Sequence, residues 1–319
     1  MKKSNLLLIV MFAVLLGITL MYLLPSSERE STYSIENIAV KFDSASIKKI
    51  EIKKNEVGKS VTLENIDGKW KLTSPVNALA ENAAVEKVLA GAGKFKIANL
   101  ISDKPEKQQQ FQVDSTGTEL TLTDKSGKAT KLIIGKNGPT YVESYVRLPH
   151  SNEVYLAEGF ESWSLNKDVK DWRDKMIYKT ERDSVFEISI QWNTVTDTKK
   201  KSLPEQFVLS KNNSQWSLNG DSIDNNKVNS VLSYLANFRT DDFIDSTVVL
   251  PEILLSLQLK TKNASANTEE ATMLLYANPS DSTKYWVKNS ANEQLYQITK
   301  WMAQNIMKKR SDFIEEKKK

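Results

Sequence analysis

The chain has 319 residues, of which 40% are hydrophobic and 26% are charged, so it has enough apolar surface for two folded domains rather than a disordered polymer. Its 44 basic and 40 acidic residues give a net charge of +4, and so small an excess without a basic stripe argues against nucleic acid as a partner. The chain contains no cysteine, which excludes disulfides, thiolate nucleophiles, lipoprotein acylation and cysteine metal sites.

A long run without charge stands near the amino terminus, at residues 6–24. At about 1.5 Å per residue, a helix of this length spans roughly 28 Å, which is close to the hydrocarbon thickness of a bilayer. The run is longer than the apolar region of a cleavable signal peptide. Lys2 and Lys3 precede it, so the positive-inside rule keeps the amino terminus in the cytoplasm. The sequence predicts an uncleaved transmembrane signal anchor at 1–24 in a single-pass inner-membrane protein whose bulk is extracytoplasmic, in the periplasm.

Residues 25–45 are polar and are predicted to form a stalk, after which a series of strand patterns occurs twice. "IKKIEI" at 47–52 and "VFEISI" at 185–190 alternate apolar and polar residues with the period of a half-buried strand. Each is followed by a second alternating strand and by a hairpin partner that contains a tryptophan, Trp70 in one series and Trp216 in the other. Because each tryptophan alternates in phase with a leucine two positions later, both rings are predicted to lie in a core.

An amphipathic helix follows each hairpin, and its apolar positions recur at i, i+3, i+4 and i+7. These positions are Val85, Val88, Leu89 and Ala92 in the first helix and, at a constant offset, Val228, Val231, Leu232 and Leu235 in the second. The predicted fold class is α+β: one N-terminal transmembrane helix followed by two tandem-duplicated modules, at 46–180 and 181–319. Each module is predicted to be an antiparallel sheet with a helix on one face.

Residues that usually carry catalysis or bind metals are scarce. His150 is the only histidine, and its place in a turn between two strands is typical of a solvated side chain. Acidic residues cluster in "FESWSLNKDVKDWRDKMIY", but basic residues alternate with them, a pattern typical of an exposed helix with ion pairs. "GAGK" at 91–94 follows a helix, where glycine is a common C-terminal stop. The sequence therefore predicts no enzyme, no catalytic or metal-binding residue and no cofactor.

The tryptophans outside the two hairpins lack strand phasing, which leaves a ligand-binding surface open. Trp163 and Trp286 are the candidates, because an exposed aromatic face can stack on a sugar ring. The alternative function is therefore a module that binds cell-envelope carbohydrate through exposed tryptophans.

The carboxyl terminus predicts a last amphipathic helix, with Ile298, Met302 and Ile306 on one side. Two interpretations stay open. In the first, this stripe packs on its own module, and in the second, the helix docks on the first module or on a partner.

Several phrases of the first half occur together in one known family. "GKWKLTSPVNALAENAAVEKVLAGAGKFK" is followed in order by "FQVD", "LTLTD", "LIIGK", "YVRLP", "EVYLAE" and "DWRDK". They resemble the bacterial DUF4340 family over residues 46–180, with the second half as a diverged repeat, although "FQVD" lacks the glycine usual in that turn. The resemblance implies a membrane-anchored extracytoplasmic protein without assigned activity, associated with ABC-type transport components of the gliding-motility type. The predicted function is a non-enzymatic interaction or accessory module that partners an ABC-type transport complex.

Overall fold

A computed structural model describes residues 15–16, 40–56, 58–193, 196–197, 200–201, 204–292 and 294–314. The predicted signal anchor at 1–24, apart from residues 15–16, therefore lies outside the described residues, and so does the predicted stalk up to residue 39.

Strands account for most of the regular structure. They are β1 (Ile47–Lys53), β2 (Val61–Ile66), β3 (Lys69–Ser74), β4 (Ala78–Leu79), β5 (Lys96–Ser102), β6 (Thr118–Asp124), β7 (Ala129–Asn137), β8 (Glu143–Arg147), β9 (Val154–Glu158), β10 (Met176–Lys179), β11 (Val185–Trp192), β12 (Thr196–Asp197), β13 (Lys200–Lys201), β14 (Glu205–Asn212), β15 (Gln215–Leu218), β16 (Asp221–Ser222), β17 (Asn237–Arg239), β18 (Asp242–Ile244), β19 (Ile253–Lys262), β20 (Thr268–Ala277), β21 (Lys284–Asn289) and β22 (Leu295–Thr299). The α-helices are α1 (Asn82–Lys94), α2 (Ser162–Leu165), α3 (Asn225–Leu235) and α4 (Lys300–Ile306).

Two nine-stranded antiparallel sheets make up most of the described structure. The strand order is β4-β3-β2-β1-β6-β7-β8-β9-β5 in the first sheet and β16-β15-β14-β11-β19-β20-β21-β22-β18 in the second. Corresponding positions in the two sheets are filled by strands that follow one another in the same order along the chain. The two sheets therefore share one topology. Strand β10, which lies between the two sheets along the chain, pairs with β17 in a separate two-stranded sheet.

Alternating apolar residues place β1 and β11 near the middle of the two sheets. Ile50 and Ile52 are buried, and β1 pairs with β2 on one side and with β6 on the other. Ile188 and Ile190 are buried in the same way in β11, between β14 and β19. The period-two prediction is confirmed for both strands.

The tight hairpins that follow are also confirmed. The β2–β3 turn passes through Asp67 and Gly68 at φ of 52° and 81°, and the β14–β15 turn passes through Asn213 and Ser214 at φ of 44° and 68°. Positive φ at both central positions gives a two-residue turn whose twist matches that of the strands it joins. Glycine adopts this region without steric cost, and Asp and Asn tolerate it better than other residues.

The two predicted amphipathic helices are present as α1 and α3. In α1, Val85, Val88 and Ala92 are buried, whereas Leu89 is only partly buried. In α3, every predicted apolar position from Val228 onward is buried in the core of the second sheet. Each helix therefore packs through the face that the spacing predicts.

The predicted fold class is nevertheless wrong. The structure is mostly antiparallel sheet, with 45% strand against 22% helix, and its two large sheets are not simple modules with a helix on one face. Among the described residues, no helix is long and apolar enough to cross a membrane.

Continuous apolar runs explain why the alternation of apolar and polar residues did not reveal every strand of the sheets. Strands β7 and β9 bury four successive residues each, and such runs lack the period of two that indicates a half-buried strand. These strands are buried on both sides because the first sheet is covered twice. Helix α1 packs on one face, while Phe111 and Val113 pack with Ile133 and Val154 in a separate cluster.

The two hairpin tryptophans do not share one environment. Trp216 is only 3% exposed, whereas Trp70 is half-buried at the margin of the first core. The core prediction is therefore confirmed for Trp216 and only in part for Trp70, which packs against the first core without being fully buried. The second core also contains Phe313, which comes from the carboxyl-terminal 3₁₀ turn and has no place in the repeated pattern.

The carboxyl-terminal helix packs on its own sheet, as in the first of the two interpretations. Helix α4 begins at Lys300, so Ile298 belongs to β22 and not to the helix. Ala303 and Ile306 of α4 join Ile298 in the second core, and Met302 packs partly against it.

Replacing Ile306 with alanine should lower the free energy of unfolding by about 2–4 kcal/mol, because the side chain is fully buried and its removal leaves a cavity. Trp301→Ala is the matched control on the same helix. Its ring is 67% exposed, so the loss should stay below about 1 kcal/mol. Urea denaturation followed by circular dichroism measures both, and equal losses would contradict this packing of α4.

Candidate functional site

A cleft of about 880 Å³ lies where the two sheets meet. The first sheet contributes β4 and the segment that leads to β10. The second sheet contributes β18, the irregular segment after it and the start of β22. A volume of this size lies in the range typical of ligand pockets in proteins, which makes the cleft the first place to look for a binding function.

The segment around Arg173 is held against the edge of the first sheet. The Glu81 N–H donates to the Trp172 carbonyl at 2.9 Å, and the Asp174 N–H donates to the Leu79 carbonyl at 2.8 Å. Ala80 and Arg173 form an antiparallel bridge between these two bonds. The Trp172 ring is completely buried in the first core, which fixes the position of the arginine that follows it.

Arg173 reaches from the first sheet into the second. Its Nη1 donates to Asp245 Oδ2 at 2.7 Å and its Nη2 donates to Gln294 Oε1 at 2.8 Å. The guanidinium lies 3.7 Å from the centre of the Phe243 ring, close enough for a cation–π contact. The side chain is only 3% exposed, and its Nε has no acceptor among the described residues.

Two further ion pairs cross between the sheets near the cleft. Arg239 pairs with Glu81, and Lys170 Nζ lies 3.5 Å from Asp242 Oδ2. Both pairs are partly exposed, so each adds little stability by itself. Together with Arg173 they connect the first half of the chain to the second beside the cleft.

Three other ionisable groups of the cleft make hydrogen bonds within the chain. Burial raises the pKa of Tyr296, and the hydrogen bond that its hydroxyl accepts from Asn292 at 3.2 Å opposes the rise. The phenol is therefore neutral at physiological pH. One carboxylate, Asp174, accepts a bond from the Met176 N–H, and another, Asp245, accepts from Arg173. Across the described residues, no group of three or more His, Cys, Asp or Glu side chains is placed to hold a metal ion.

The structure does not bring the two predicted ligand-binding tryptophans together. Trp163 lies in α2 and is 50% exposed, with Lys87 Nζ at 3.5 Å from its ring centre. Trp286 lies in β21 and is only 7% exposed, so its ring has no face open to a sugar. Neither residue lines the cleft.

Sequence patterns missed Arg173 and its partners. The segment that contains it was predicted to be an exposed, ion-paired helix, but it is a short 3₁₀ turn, Val169–Trp172, followed by a buried arginine. Lys175 does pair with Asp171 at 2.6 Å, which accounts for part of the charge pattern. The one available signal was "DWRDK", where a tryptophan precedes the arginine and anchors it.

Comparison with known proteins gives one match. The family model DUF4340, described as a domain of unknown function, matches residues 70–256, a range that contains Arg173 and Asp245 but ends before Gln294. The searches of curated proteins and of solved structures found no match.

Proposed function

We propose that this chain, which belongs to the DUF4340 family, is a non-enzymatic interaction module that acts outside the cytoplasm and docks a membrane partner in the cleft between its two sheets. The partner that we propose is a subunit of an ABC-type transport complex. The cleft carries this proposal, because exposed apolar side chains from both sheets line it.

The composition of the cleft supports protein binding. Phe243 and Tyr296 are among the residues that line it, and aromatic side chains are enriched at interfaces. Leu79 and Leu250 line the cleft from its two sides and are 51% and 39% exposed. Exposed apolar side chains beside buried polar groups are typical of a docking surface.

The proposed location outside the cytoplasm rests on the sequence alone. The charge-free run at 6–24 follows Lys2 and Lys3, and this arrangement favours retention of the amino terminus in the cytoplasm. Protease treatment of spheroplasts tests the location. Digestion of the chain beyond the run supports it, and full protection would contradict it.

Carbohydrate binding is the weaker alternative. It needs exposed aromatic faces, and of the two candidate tryptophans only Trp163 has one. Retention on isolated envelope glycan that is lost in Trp163→Ala would favour this function over protein docking.

Site-specific photocrosslinking in cells tests the docking proposal. We expect a photoreactive phenylalanine at Thr247, inside the cleft, to crosslink to a transport subunit. The same probe at Tyr141, which is 87% exposed on a hairpin and lies outside the cleft, is the matched control and should not give that product. Equal yields at the two positions, or no transport subunit at Thr247, would contradict docking in the cleft.

A further inference from the structure

We propose that a second pocket, at one end of the core of the first sheet, binds a small hydroxylated carboxylic acid whose carboxylate contacts Lys54. This pocket shares no lining residue with the cleft, so the inference goes beyond the proposed function and does not depend on it.

The pocket has a volume of about 460 Å³, which is in the range of small-molecule sites. It lies between the end of β1, the segment that leads into β6, the middle of β7 and helix α2. All of its lining residues except Gly117, Ile134 and Gly135 carry an amide, a hydroxyl or a charge. A polar ligand therefore suits this pocket better than an apolar one.

Lys54 brings an ammonium group into the pocket. The side chain is only partly buried, and its Nζ donates to Asn166 Oδ1 at 2.6 Å. A lysine has three N–H donors, of which this bond uses one. Within the described residues the amine forms no ion pair, and the nearby Glu56 pairs with Lys59. Lys54 therefore has donors left for a ligand in the pocket.

The surroundings of this amine favour a carboxylate. Burial, and after it the positive charge of Lys59, lower the pKa of Lys54, while Glu56 and Asp168 oppose the decrease. The two larger causes both disfavour the charged form of the amine. A carboxylate bound at Nζ offsets them, because a charge-assisted hydrogen bond stabilises the ammonium.

The second sheet closes the equivalent position with a tryptophan. Ile52 and Ile190 occupy the same place in β1 and β11. Two residues further on, Lys54 in the first sheet corresponds to Trp192 in the second. The Trp192 ring packs against the second core, and its Nε1 donates to the Lys308 carbonyl at 2.9 Å. The shared topology thus does not require an open polar pocket here, and the pocket results from the side chains of the first sheet.

One wall of the pocket is held closely against the sheet. A Cβ at Gly135 of β7 would collide with the Phe111 carbonyl, so glycine allows the segment before β6 to lie directly on this strand. Asn55 Nδ2 donates to the Ser115 carbonyl and ties the same segment to the end of β1. Gln112 lines the pocket between these two contacts. The pocket is therefore largely preformed, as binding sites for small molecules usually are.

The neutral side chains favour hydroxyl groups on the ligand. In the part of the chain that the structure describes, the side chains of Gln112 and Thr118 make no hydrogen bond, and Asn166 uses only its Oδ1. Ser162 Oγ donates to Asn137 Oδ1 at 2.8 Å and keeps its lone pairs as acceptors. Amides and hydroxyls can both donate to and accept from a ligand hydroxyl. A carboxylate on a hydroxylated carbon chain therefore matches the pocket.

Three probes of equal carbon-chain length test this ligand class. Gluconate carries a carboxylate and hydroxyls, sorbitol lacks the carboxylate, and adipate lacks the hydroxyls. Saturation-transfer difference NMR measures their binding to the full-length chain in detergent. We expect gluconate to bind about tenfold more tightly than either of the others, because only gluconate pairs with both Lys54 and the neutral side chains.

Methyl glucuronide distinguishes two sources of such a ligand. It presents a carboxylate and hydroxyls on a ring whose anomeric oxygen is blocked, as at the end of a glycan. Displacement of gluconate by a similar concentration of methyl glucuronide would identify the ligand as the end of a glycan. Failure to displace gluconate would identify it as a free acid.

Variants of the chain test the role of the lysine. Lys54→Met should remove the preference for gluconate over sorbitol, because no ammonium is left to bind the carboxylate. Lys54→Trp, which introduces the side chain found in the second sheet, should abolish the binding of every probe. Lys53→Met is the matched control, since Lys53 is exposed and does not line the pocket, and it should leave the affinities unchanged. Thermal unfolding checks that each variant is folded.

Any of four results would overturn the inference. No probe binds, sorbitol or adipate binds as tightly as gluconate, folded Lys54→Met keeps the preference for gluconate, or an equal concentration of inorganic phosphate displaces gluconate completely. The last result would identify an anion site without recognition of hydroxyls. The probe comparisons use the unmodified chain, so they do not depend on the folding of a variant. The crosslink from Thr247 reports on the cleft, so this inference can fail while the proposed function survives.

Discussion

Trp216→Ala is expected to lower the free energy of unfolding by about 3–5 kcal/mol. The ring is 3% exposed, and truncation of a buried tryptophan loses its transfer free energy and leaves a cavity that the neighbouring strands fill only in part. Guanidinium denaturation followed by circular dichroism measures the loss.

The corresponding position in the first sheet provides a matched control. Trp70 occupies the same place in its hairpin but is only half-buried, so Trp70→Ala should cost about 1–2 kcal/mol. Equal losses at the two positions would show that the two cores cover their hairpins equally, which contradicts the structure. Unfolding in two steps would require that each loss be assigned to its own sheet before the comparison.

Arg173→Met is expected to destabilise the contact between the two sheets by about 2–3 kcal/mol. Removing one partner of a fully buried ion pair typically costs about 3–5 kcal/mol, and the value here is smaller because Asp245 is half exposed. The variant also loses the bond to Gln294 and the cation–π contact with Phe243. We expect the thermal transition to broaden or to divide in two, because the variant lacks the Arg173 contacts that couple the unfolding of one sheet to that of the other.

Lys170→Met is the control for this prediction. Lys170 also reaches across to the second sheet, but its pair with Asp242 is exposed and 3.5 Å long, so the loss should stay below about 1 kcal/mol. A double-mutant cycle between Arg173 and Asp245 isolates their coupling. A coupling near zero would mean that the arginine stabilises the structure through its contacts with Gln294 and Phe243 and not through the ion pair.

Local pattern was sufficient for much of the fold. Strands such as β1 and β11 bury alternate residues, and α1 and α3 bury one stripe, because the period of each element is set by its own backbone geometry. The turn residues Asp67–Gly68 and Asn213–Ser214 are also a local feature, since Gly, Asp and Asn favour the positive φ that a two-residue hairpin turn requires. These features were predictable without knowledge of any distant contact.

Features that depend on neighbours far along the chain were not predictable in this way. Strand β9 reads as a continuous apolar run, and only the cluster around Phe111 shows why both of its sides are buried. Trp70 and Trp216 have the same local pattern, yet their burial differs because the covering elements differ.

By itself, the sequence determined the positions of the repeated strands and helices and the resemblance to DUF4340. Only the tertiary structure decided that the strands assemble into two nine-stranded sheets and that a cleft lies where they meet. Arg173 looks like one member of an ion-paired surface run, but its partners Asp245 and Gln294 lie 72 and 121 positions away. A charge pattern records only neighbours along the chain, whereas burial and hydrogen bonding depend on which distant segments the fold brings to the same place.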